Sequence, residues 1–161
     1  MIRVAVLTIS DRCFRGERAD VSGPAVRDLC AGSDWRVVLS EVLPDEQGPI
    51  AARLAELSDS GGLDIILTTG GTGVAPRDVT PEATRSILQR EIPGLGELMR
   101  AEGLKSTRYA PLSRSLAGTR GRVLIVNLPG SPKGAVESLN AIVGLVPHIV
   151  RLLAGETGHP D

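Results

Sequence analysis

The chain reads Leu67-Thr68-Thr69-Gly70-Gly71-Thr72-Gly73 directly after Asp64-Ile65-Ile66, and Arg77-Asp78-Val79-Thr80-Pro81-Glu82 follow. The apolar run predicts a buried strand, and the glycines and threonines after it predict a tight turn. Glycine permits positive φ and a close approach of the backbone to a ligand, and successive N–H groups in such a turn attract anions. Because open α/β sheets bind ligands at the carboxyl ends of their strands, the stretch predicts a phosphate or nucleotide cradle with an acidic residue beside it.

Two better-known phosphate-binding loops are excluded by the same stretch. A P-loop requires Gly-Lys followed by Ser or Thr, and the chain contains no Gly-Lys dipeptide. A dinucleotide fingerprint requires GxGxxG, whereas Gly71-Thr72-Gly73 is followed by Val74-Ala75-Pro76. The alternative to a phosphate cradle is a plain glycine-rich connection between strand and helix. The number of glycines and threonines disfavours this alternative.

The composition limits the classes of partner. The chain has 161 residues, of which 42% are hydrophobic, 2% are aromatic, and the net charge is −1. A core of aliphatic residues is therefore expected, with neither the aromatic platforms nor the basic surface that nucleic-acid binding requires. Apolar runs fall far short of the ~20 residues that cross a bilayer. We expect a cytoplasmic protein with small-molecule or protein partners, no nucleic acid and no membrane.

Cysteine and histidine give no sign of metal or covalent chemistry. We expect Cys30 to be a small buried hydrophobe and Cys13 to be a thiol in a loop, without a disulfide. His148 and His159 lack partners at triad or ligand spacing, so we expect them to be structural or exposed.

The pattern of apolar residues predicts an α/β fold. Buried, β-branched runs predict strands over residues 2–9, 36–43, 64–69 and 122–128. Helical spacing predicts helices over residues 23–31, 49–58, 80–88 and 96–104, a short helix near 112–116, a helix from Ser131 through Val143, and a last helix over 147–153, with a frayed tail over 155–161. Thr80 and Ser131 are expected to be N-caps, each with proline at the next position. Strands alternating with helices predict a three-layer αβα sandwich around a mostly parallel sheet.

A second cradle is expected after the last predicted strand, at Asn127-Leu128-Pro129-Gly130-Ser131-Pro132-Lys133-Gly134. Gly130 permits a tight turn, Ser131 offers a hydroxyl, and a helix N-terminus attracts anions. Lys133 could place a positive charge on a phosphate. Simple capping by Ser-Pro is the alternative, but two glycine turns on one sheet edge favour a ligand.

Acidic and polar residues fall at the same edge. Asp45 follows a strand in Leu43-Pro44-Asp45-Glu46, and Asp78 follows the first glycine turn. Carboxylates beside phosphates indicate Mg²⁺, although Asp45 could be a turn residue and Asp78 a cap or a partner of Arg77. Ser10-Asp11-Arg12 end the first strand, where Asp11 and Arg12 could bind a polar ligand or pair with each other. Weaker candidates for anion contacts are Ser113 and Arg114.

Taken together, these motifs resemble the MogA/MoaB family of molybdenum cofactor biosynthesis. The resemblance is carried by both glycine turns, by Arg77-Asp78-Val79-Thr80-Pro81, and by Ile9-Ser10-Asp11-Arg12, Pro44-Asp45-Glu46-Gln47 and Pro93-Gly94-Leu95-Gly96-Glu97. It covers nearly the whole chain and so implies one domain over 1–161. The residues of the Arg77 and Asn127 motifs are more similar to those of the MogA branch, the molybdopterin adenylyltransferases, than to those of MoaB.

The resemblance implies transfer of AMP from ATP to the terminal phosphate of molybdopterin, with release of pyrophosphate. It also implies Mg²⁺, a homotrimer, and partnership with other molybdenum cofactor biosynthesis proteins. Asp45 and Asp78 would be the catalytic and metal-binding carboxylates. Residues expected at the nucleotide are Thr69, Gly70, Gly71, Thr72, Gly73, Asn127, Leu128, Pro129, Gly130, Ser131 and Lys133. Residues expected at molybdopterin are Ser10, Asp11, Arg12, Ser113 and Arg114.

Three other functions fit the same motifs. The chain could bind molybdopterin without catalysis, as a MoaB-like or scaffold protein, although the presence of both aspartates favours an enzyme. A CinA-like pyrophosphatase would cleave a pyrophosphate bond without a pterin. Molybdate insertion resembles a sister family with additional domains, for which 161 residues leave no room.

Overall fold

A computed structural model describes residues 1–158. The strands of the described chain are β1 Arg3–Ile9, β2 Arg36–Leu43, β3 Ile65–Thr69, β4 Arg90–Glu91, β5 Ala117–Arg120 and β6 Val123–Leu128. The helices are α1 Asp11–Phe14, α2 Ser22–Gly32, α3 Gln47–Asp59, α4 Thr80–Ile87, α5 Pro93–Gly103, α6 Pro132–Ile142 and α7 Val146–Leu153, with a 3-10 turn at Ala110–Leu112.

The strands form one mixed sheet in the order β2-β1-β3-β6-β5-β4. The first four strands are parallel, and β5 and β4 add an antiparallel edge. The chain moves outward from β1 to β2 and then crosses back to place β3 on the other side of β1. The strand order therefore reverses between β1 and β3, which is where open α/β sheets form their ligand crevice.

Both faces of the sheet are covered, so the central strands are apolar on both sides. Val4 and Val6 point into a core formed with α2, α5, α6 and α7, whereas Ala5 and Leu7 point into a second core formed with α3 and α4. All four side chains have no exposed surface. This arrangement confirms the predicted three-layer αβα sandwich around a mostly parallel sheet.

The four predicted strands and most predicted helices are confirmed, but the short helix near 112–116 is wrong. The chain instead forms the 3-10 turn at Ala110–Leu112 and then enters β5. Patterning missed β4 and β5 because each is only two to four residues long. Gly118 in β5 lets the two strands approach closely, since a Cβ there would lie 2.4 Å from the Arg90 carbonyl oxygen.

One of the two predicted helix caps is wrong. Ser131 caps α6 as expected, because its Oγ accepts a hydrogen bond from the Gly134 N–H at 3.0 Å. Thr80 does not cap α4. Its hydroxyl donates to the Gly70 carbonyl oxygen at 2.9 Å, so it ties the helix to the glycine turn instead of satisfying a helical N–H.

The remaining sequence expectations concern thiols, histidines and membrane spans. Cys30 is fully buried, and burial raises the pKa of its thiol to about 11, so it stays protonated. Cys13 lies in α1, so its predicted place in a loop is wrong. His148 is half-buried in α7. His159 and the rest of the predicted tail beyond residue 158 lie outside the described residues. Within residues 1–158 no single helix is long and apolar enough to cross a bilayer; α6 and α7, bent by 63°, reach that length and composition only as a pair.

Candidate active site

A cavity of about 420 Å³ opens at the carboxyl ends of β1 and β3. Its walls come from the end of β1, the segment leading into α2, the first glycine turn and the start of α6. Of the residues expected at a ligand, Ser10, Asp45, Thr69, Gly70, Gly71, Asp78, Gly130 and Ser131 line this cavity. The structure therefore brings both glycine turns and both candidate carboxylates to one place.

The first glycine turn is shaped by its own packing. Gly70 and Gly71 have φ angles of 106° and 68°, which side chains other than glycine rarely adopt. A Cβ on Gly70 would lie 2.3 Å from the Ile9 carbonyl oxygen, and a Cβ on Gly71 would lie 2.3 Å from Thr80 Oγ1. The glycines are thus required to fit the turn between β1 and α4.

Arg114 holds the far end of this turn. Its Nε donates to the Gly73 carbonyl oxygen and its Nη2 to the Asp78 carbonyl oxygen, each at 2.7 Å, while Nη1 pairs with Glu82. The Arg114 backbone N–H also donates to the Thr72 carbonyl oxygen at 2.8 Å. Arg114 does not line the cavity, so its contacts are those of a residue that positions the turn.

The two glycine turns are joined directly. Thr69 Oγ1 donates to the Pro129 carbonyl oxygen at 2.7 Å, and the Gly70 N–H donates to the Leu128 carbonyl oxygen at 3.1 Å. A Cβ on Gly130 would lie 3.3 Å from the Gly70 Cα. The turns therefore form one continuous backbone surface.

Several expected nucleotide residues lie outside the cavity. Asn127 and Leu128 are fully buried. The Asn127 amide nitrogen donates to the Thr68 and Thr84 hydroxyls, each at 3.0 Å. Lys133 is exposed, with its Nζ 3.8 Å from a Glu137 carboxylate oxygen. Thr72, Gly73 and Pro129 also do not line this cavity.

Asp45 is locked to Asp11 by two reciprocal hydrogen bonds. Asp45 Oδ2 accepts from the Asp11 N–H at 2.8 Å, and Asp11 Oδ1 accepts from the Asp45 N–H at 3.0 Å. Burial raises the pKa of Asp45 and the Asp11 N–H opposes that rise, while the negative charges of Asp11 and Asp78 add to it. The Asp45 carboxylate is thus held in one position, in surroundings that disfavour its negative charge.

Asp78 lines the cavity a few residues beyond the first glycine turn. Its Oδ2 accepts a hydrogen bond from the Ala75 N–H at 2.9 Å. A Cβ on Gly73 would lie 2.8 Å from the same oxygen, so the carboxylate packs tightly on the turn. Arg77 does not pair with Asp78; it donates to Asp11 instead, at 2.5 Å from Nε, and this contact lowers the pKa of Asp11.

The donor set suits a hard cation that keeps part of its water or phosphate shell. Within residues 1–158 no group of three or more His, Cys, Asp or Glu side chains converges on one point. Asp45 and Asp78 each use Oδ2 in a backbone hydrogen bond, and neither Oδ1 has a hydrogen-bond partner in the described chain. Mg²⁺ is typically held by one or two carboxylates with substrate phosphates, so the residues present fit it.

Of the five expected pterin residues, Ser10 alone lines the main cavity. Ser10 lines the cavity and also caps α1, because its Oγ accepts from the Cys13 N–H at 3.2 Å. Asp11 pairs with Arg77, not with Arg12, and neither Asp11 nor the exposed Arg12 lines the cavity. Ser113 lines a second, smaller cavity of about 170 Å³, which meets the first at Ser131.

Sequence reasoning missed the segment that leads into α2. Arg18, Ala19, Asp20, Val21 and Ser22 form one wall of the main cavity. Asp20 Oδ1 accepts from the Gly23 N–H at 3.0 Å and so ties this segment to the first turn of α2. The spacing of Asp20 and Gly23 at a helix start was the available signal.

Comparison with known proteins identifies the family to which the chain belongs. The family described as a probable molybdopterin binding domain matches residues 5–148, and the chain belongs to this family.

Particular relatives are similar over nearly the whole chain. The chain is 41% identical to the molybdopterin adenylyltransferase of Helicobacter pylori strain J99, covering 96% of this chain and 89% of that one. It is 46% identical to the molybdenum cofactor synthesis protein cinnamon of Drosophila melanogaster, but spans only 26% of that protein's length. Among solved structures it is similar to the molybdopterin biosynthesis enzyme MoaB of Thermus thermophilus, with 55% identity, a TM-score of 0.91 and coverage of 96% and 98% of the two chains.

Proposed function

We propose that the protein is a molybdopterin adenylyltransferase, which transfers AMP from ATP to the terminal phosphate of molybdopterin. The observation that carries the proposal is the meeting of two joined glycine turns and two carboxylates in one cavity. The relatives from Helicobacter pylori and from Escherichia coli K12, at 41% and 38% identity, bear this name.

The reaction needs no nucleophile from the protein. A pterin phosphate oxygen attacks the α-phosphorus of ATP, a new P–O bond forms, and the bond to the bridging oxygen breaks as pyrophosphate leaves. Catalysis then consists of holding two polyanions in line and offsetting their repulsion. Backbone N–H groups around Gly71 and Gly130 and the N-terminus of α6 would bind the phosphates.

Asp45 and Asp78 would hold the magnesium ion. When bound, Mg²⁺ supplies positive charge that neutralises the phosphate oxygens and stabilises the leaving group. Asp11 keeps Asp45 in place through the reciprocal hydrogen bonds. Thr80 and Arg114 keep the first glycine turn, and with it Asp78, in position.

A second candidate is non-catalytic binding of molybdopterin, as a MoaB-like or scaffold protein of the same pathway. The 55% identity to the Thermus thermophilus MoaB supports this candidate. The electrostatic cost of placing the Asp45 carboxylate near that of Asp78 favours the enzyme, because a protein that only binds an anion would gain nothing from this pair.

The wider setting belongs to the same proposal. We infer one functional domain over residues 1–161, a homotrimer, a cytoplasmic location, and contacts with other molybdenum cofactor biosynthesis proteins. Light scattering of the purified chain tests the trimer.

Pyrophosphate release measured with ATP, Mg²⁺ and molybdopterin tests the reaction. We expect release that depends on all three and is accompanied by adenylylated pterin. Binding of molybdopterin without release would support the MoaB-like alternative, and pyrophosphate-bond cleavage without pterin would point to a CinA-like activity.

A further inference from the structure

One positive charge in the main cavity has no role in the arrangement described so far. Among the described residues that line the cavity, Arg18 is the one with a basic side chain. The other basic residues of this edge are engaged or outside: Arg77 pairs with Asp11, and Arg114 pairs with Glu82. Across residues 1–158, the Arg18 guanidinium has neither an ion pair nor a side-chain hydrogen bond.

The segment that carries Arg18 is anchored on both sides. Before it, the Glu17 N–H donates to the Arg12 carbonyl oxygen at 2.9 Å, and Glu17 pairs with Arg15 at 3.0 Å. After it, Asp20 Oδ2 accepts from Thr8 Oγ1 at 2.8 Å while Oδ1 accepts from the Gly23 N–H. Arg18 is therefore an exposed, charged side chain without a protein partner in the described chain, two residues before Asp20, which is hydrogen-bonded to β1 and α2.

The charge balance of the cavity indicates what Arg18 would bind. Three carboxylates, Asp20, Asp45 and Asp78, line the same space. Asp20 accepts hydrogen bonds from Thr8 and Gly23, and within the described chain no ion pair joins it to Arg18. The glycine turns offer N–H groups but no net charge, whereas guanidinium groups form strong, bidentate hydrogen bonds with phosphate.

We propose that Arg18 binds a phosphate group of the substrate at the wall formed by residues 18–22. This inference rests on the proposed function for the identity of the phosphate, which comes either from ATP or from the pterin. Arg18 offsets part of the repulsion between the two anions and so strengthens the binding of whichever substrate it contacts.

Calorimetry and steady-state kinetics with Arg18→Gln and Arg18→Lys test this assignment. The matched control is Arg15→Gln, which removes the same charge from the same segment at a residue outside the cavity. We expect Arg18→Gln to weaken binding of inorganic tripolyphosphate about tenfold, Arg18→Lys to restore most of it, and Arg15→Gln to change it little. Raising the salt concentration should reduce the difference in tripolyphosphate affinity between the parent and Arg18→Gln.

The kinetic arms identify the source of the phosphate. A rise of about tenfold in KM for ATP alone assigns Arg18 to a phosphate of ATP, and a rise for molybdopterin alone assigns it to the pterin phosphate. Unchanged affinities in Arg18→Gln, in a parent protein that releases pyrophosphate, would overturn the Arg18 assignment and leave the function standing. Conversely, absence of turnover in the parent with loss of tripolyphosphate binding in Arg18→Gln would overturn the function and support Arg18 as an anion contact.

Discussion

The two ends of the parallel strands use charge in opposite ways. At the amino end, Arg3 pairs with Asp64 at 2.9 Å and donates from both its backbone and its side chain. At the carboxyl end, Asp45 and Asp78 each keep one carboxylate oxygen without a partner in the described chain, in a cavity where the charge of Asp78 disfavours that of Asp45. We expect the paired charges at the amino end to serve the fold, and the carboxylates at the other end to serve the proposed chemistry. Substitutions at the two ends should therefore separate stability from activity.

The largest expected effect is that of Asp78→Asn. Loss of a carboxylate that we propose to hold the metal should lower the rate of pyrophosphate release at least about 100-fold. The fold should be retained, because the asparagine oxygen can still accept a hydrogen bond from the Ala75 N–H. Asp28→Asn, at an exposed residue of α2, is the matched control and should behave like the parent. Near-parental turnover in Asp78→Asn would remove Asp78 from the catalytic site.

Gly71→Ala tests the packing of the first glycine turn. Its Cβ would lie 2.3 Å from Thr80 Oγ1 in a left-handed conformation, so we expect a loss of about 1–3 kcal/mol in the free energy of unfolding. A larger residue such as valine would lower ATP affinity by displacing the turn and Asp45, rather than by filling space that the nucleotide needs. Chemical denaturation measures the loss, and Gly48→Ala in the open space of α3 should instead be neutral or slightly stabilising.

Asp45→Asn should gain stability while losing activity. Because burial and neighbouring carboxylates raise its pKa in the folded state, the folded protein holds this proton more tightly than the unfolded chain does. The free energy of unfolding of the parent therefore falls as the pH rises from below 3.8, the ordinary pKa, through the raised pKa of Asp45. The stability lost in this range is not regained at neutral pH.

Thermal unfolding in the presence of EDTA measures this effect. Asp45→Asn should have the higher melting temperature at pH 7, and the difference should shrink in acid. A lower melting temperature than the parent at pH 7 would contradict the picture of an electrostatically disfavoured Asp45. Turnover of the variant should fall about tenfold or more, because one of the two proposed magnesium ligands is lost.

The sequence predicts this contrast between the two ends of the strands only in part. Periodicity located β1, β2, β3 and β6 because their continuous β-branched runs form the parallel part of the sheet, and glycine turns at two strand ends located the cavity. It could not assign Arg114, whose partners Gly73 and Glu82 are distant in sequence and meet it only in the fold. Nor could it single out Arg18, because a basic residue in a polar connection carries no pattern.

Asp64→Asn gives the smallest expected effect and completes the contrast between the two ends. Arg3 lowers the pKa of Asp64, chiefly through the side-chain hydrogen bond, so this carboxylate stabilises the fold above its unfolded pKa. That contribution is lost as the pH falls below 3.8 through the lowered pKa. Because 44% of the Arg3 side chain is exposed and solvent screens the pair, removing it should cost at most about 1 kcal/mol at pH 7. Denaturation at pH 7 and in acid should show a difference that disappears in acid, with pyrophosphate release unchanged; a fall in turnover would mean that the amino end is coupled to the cavity.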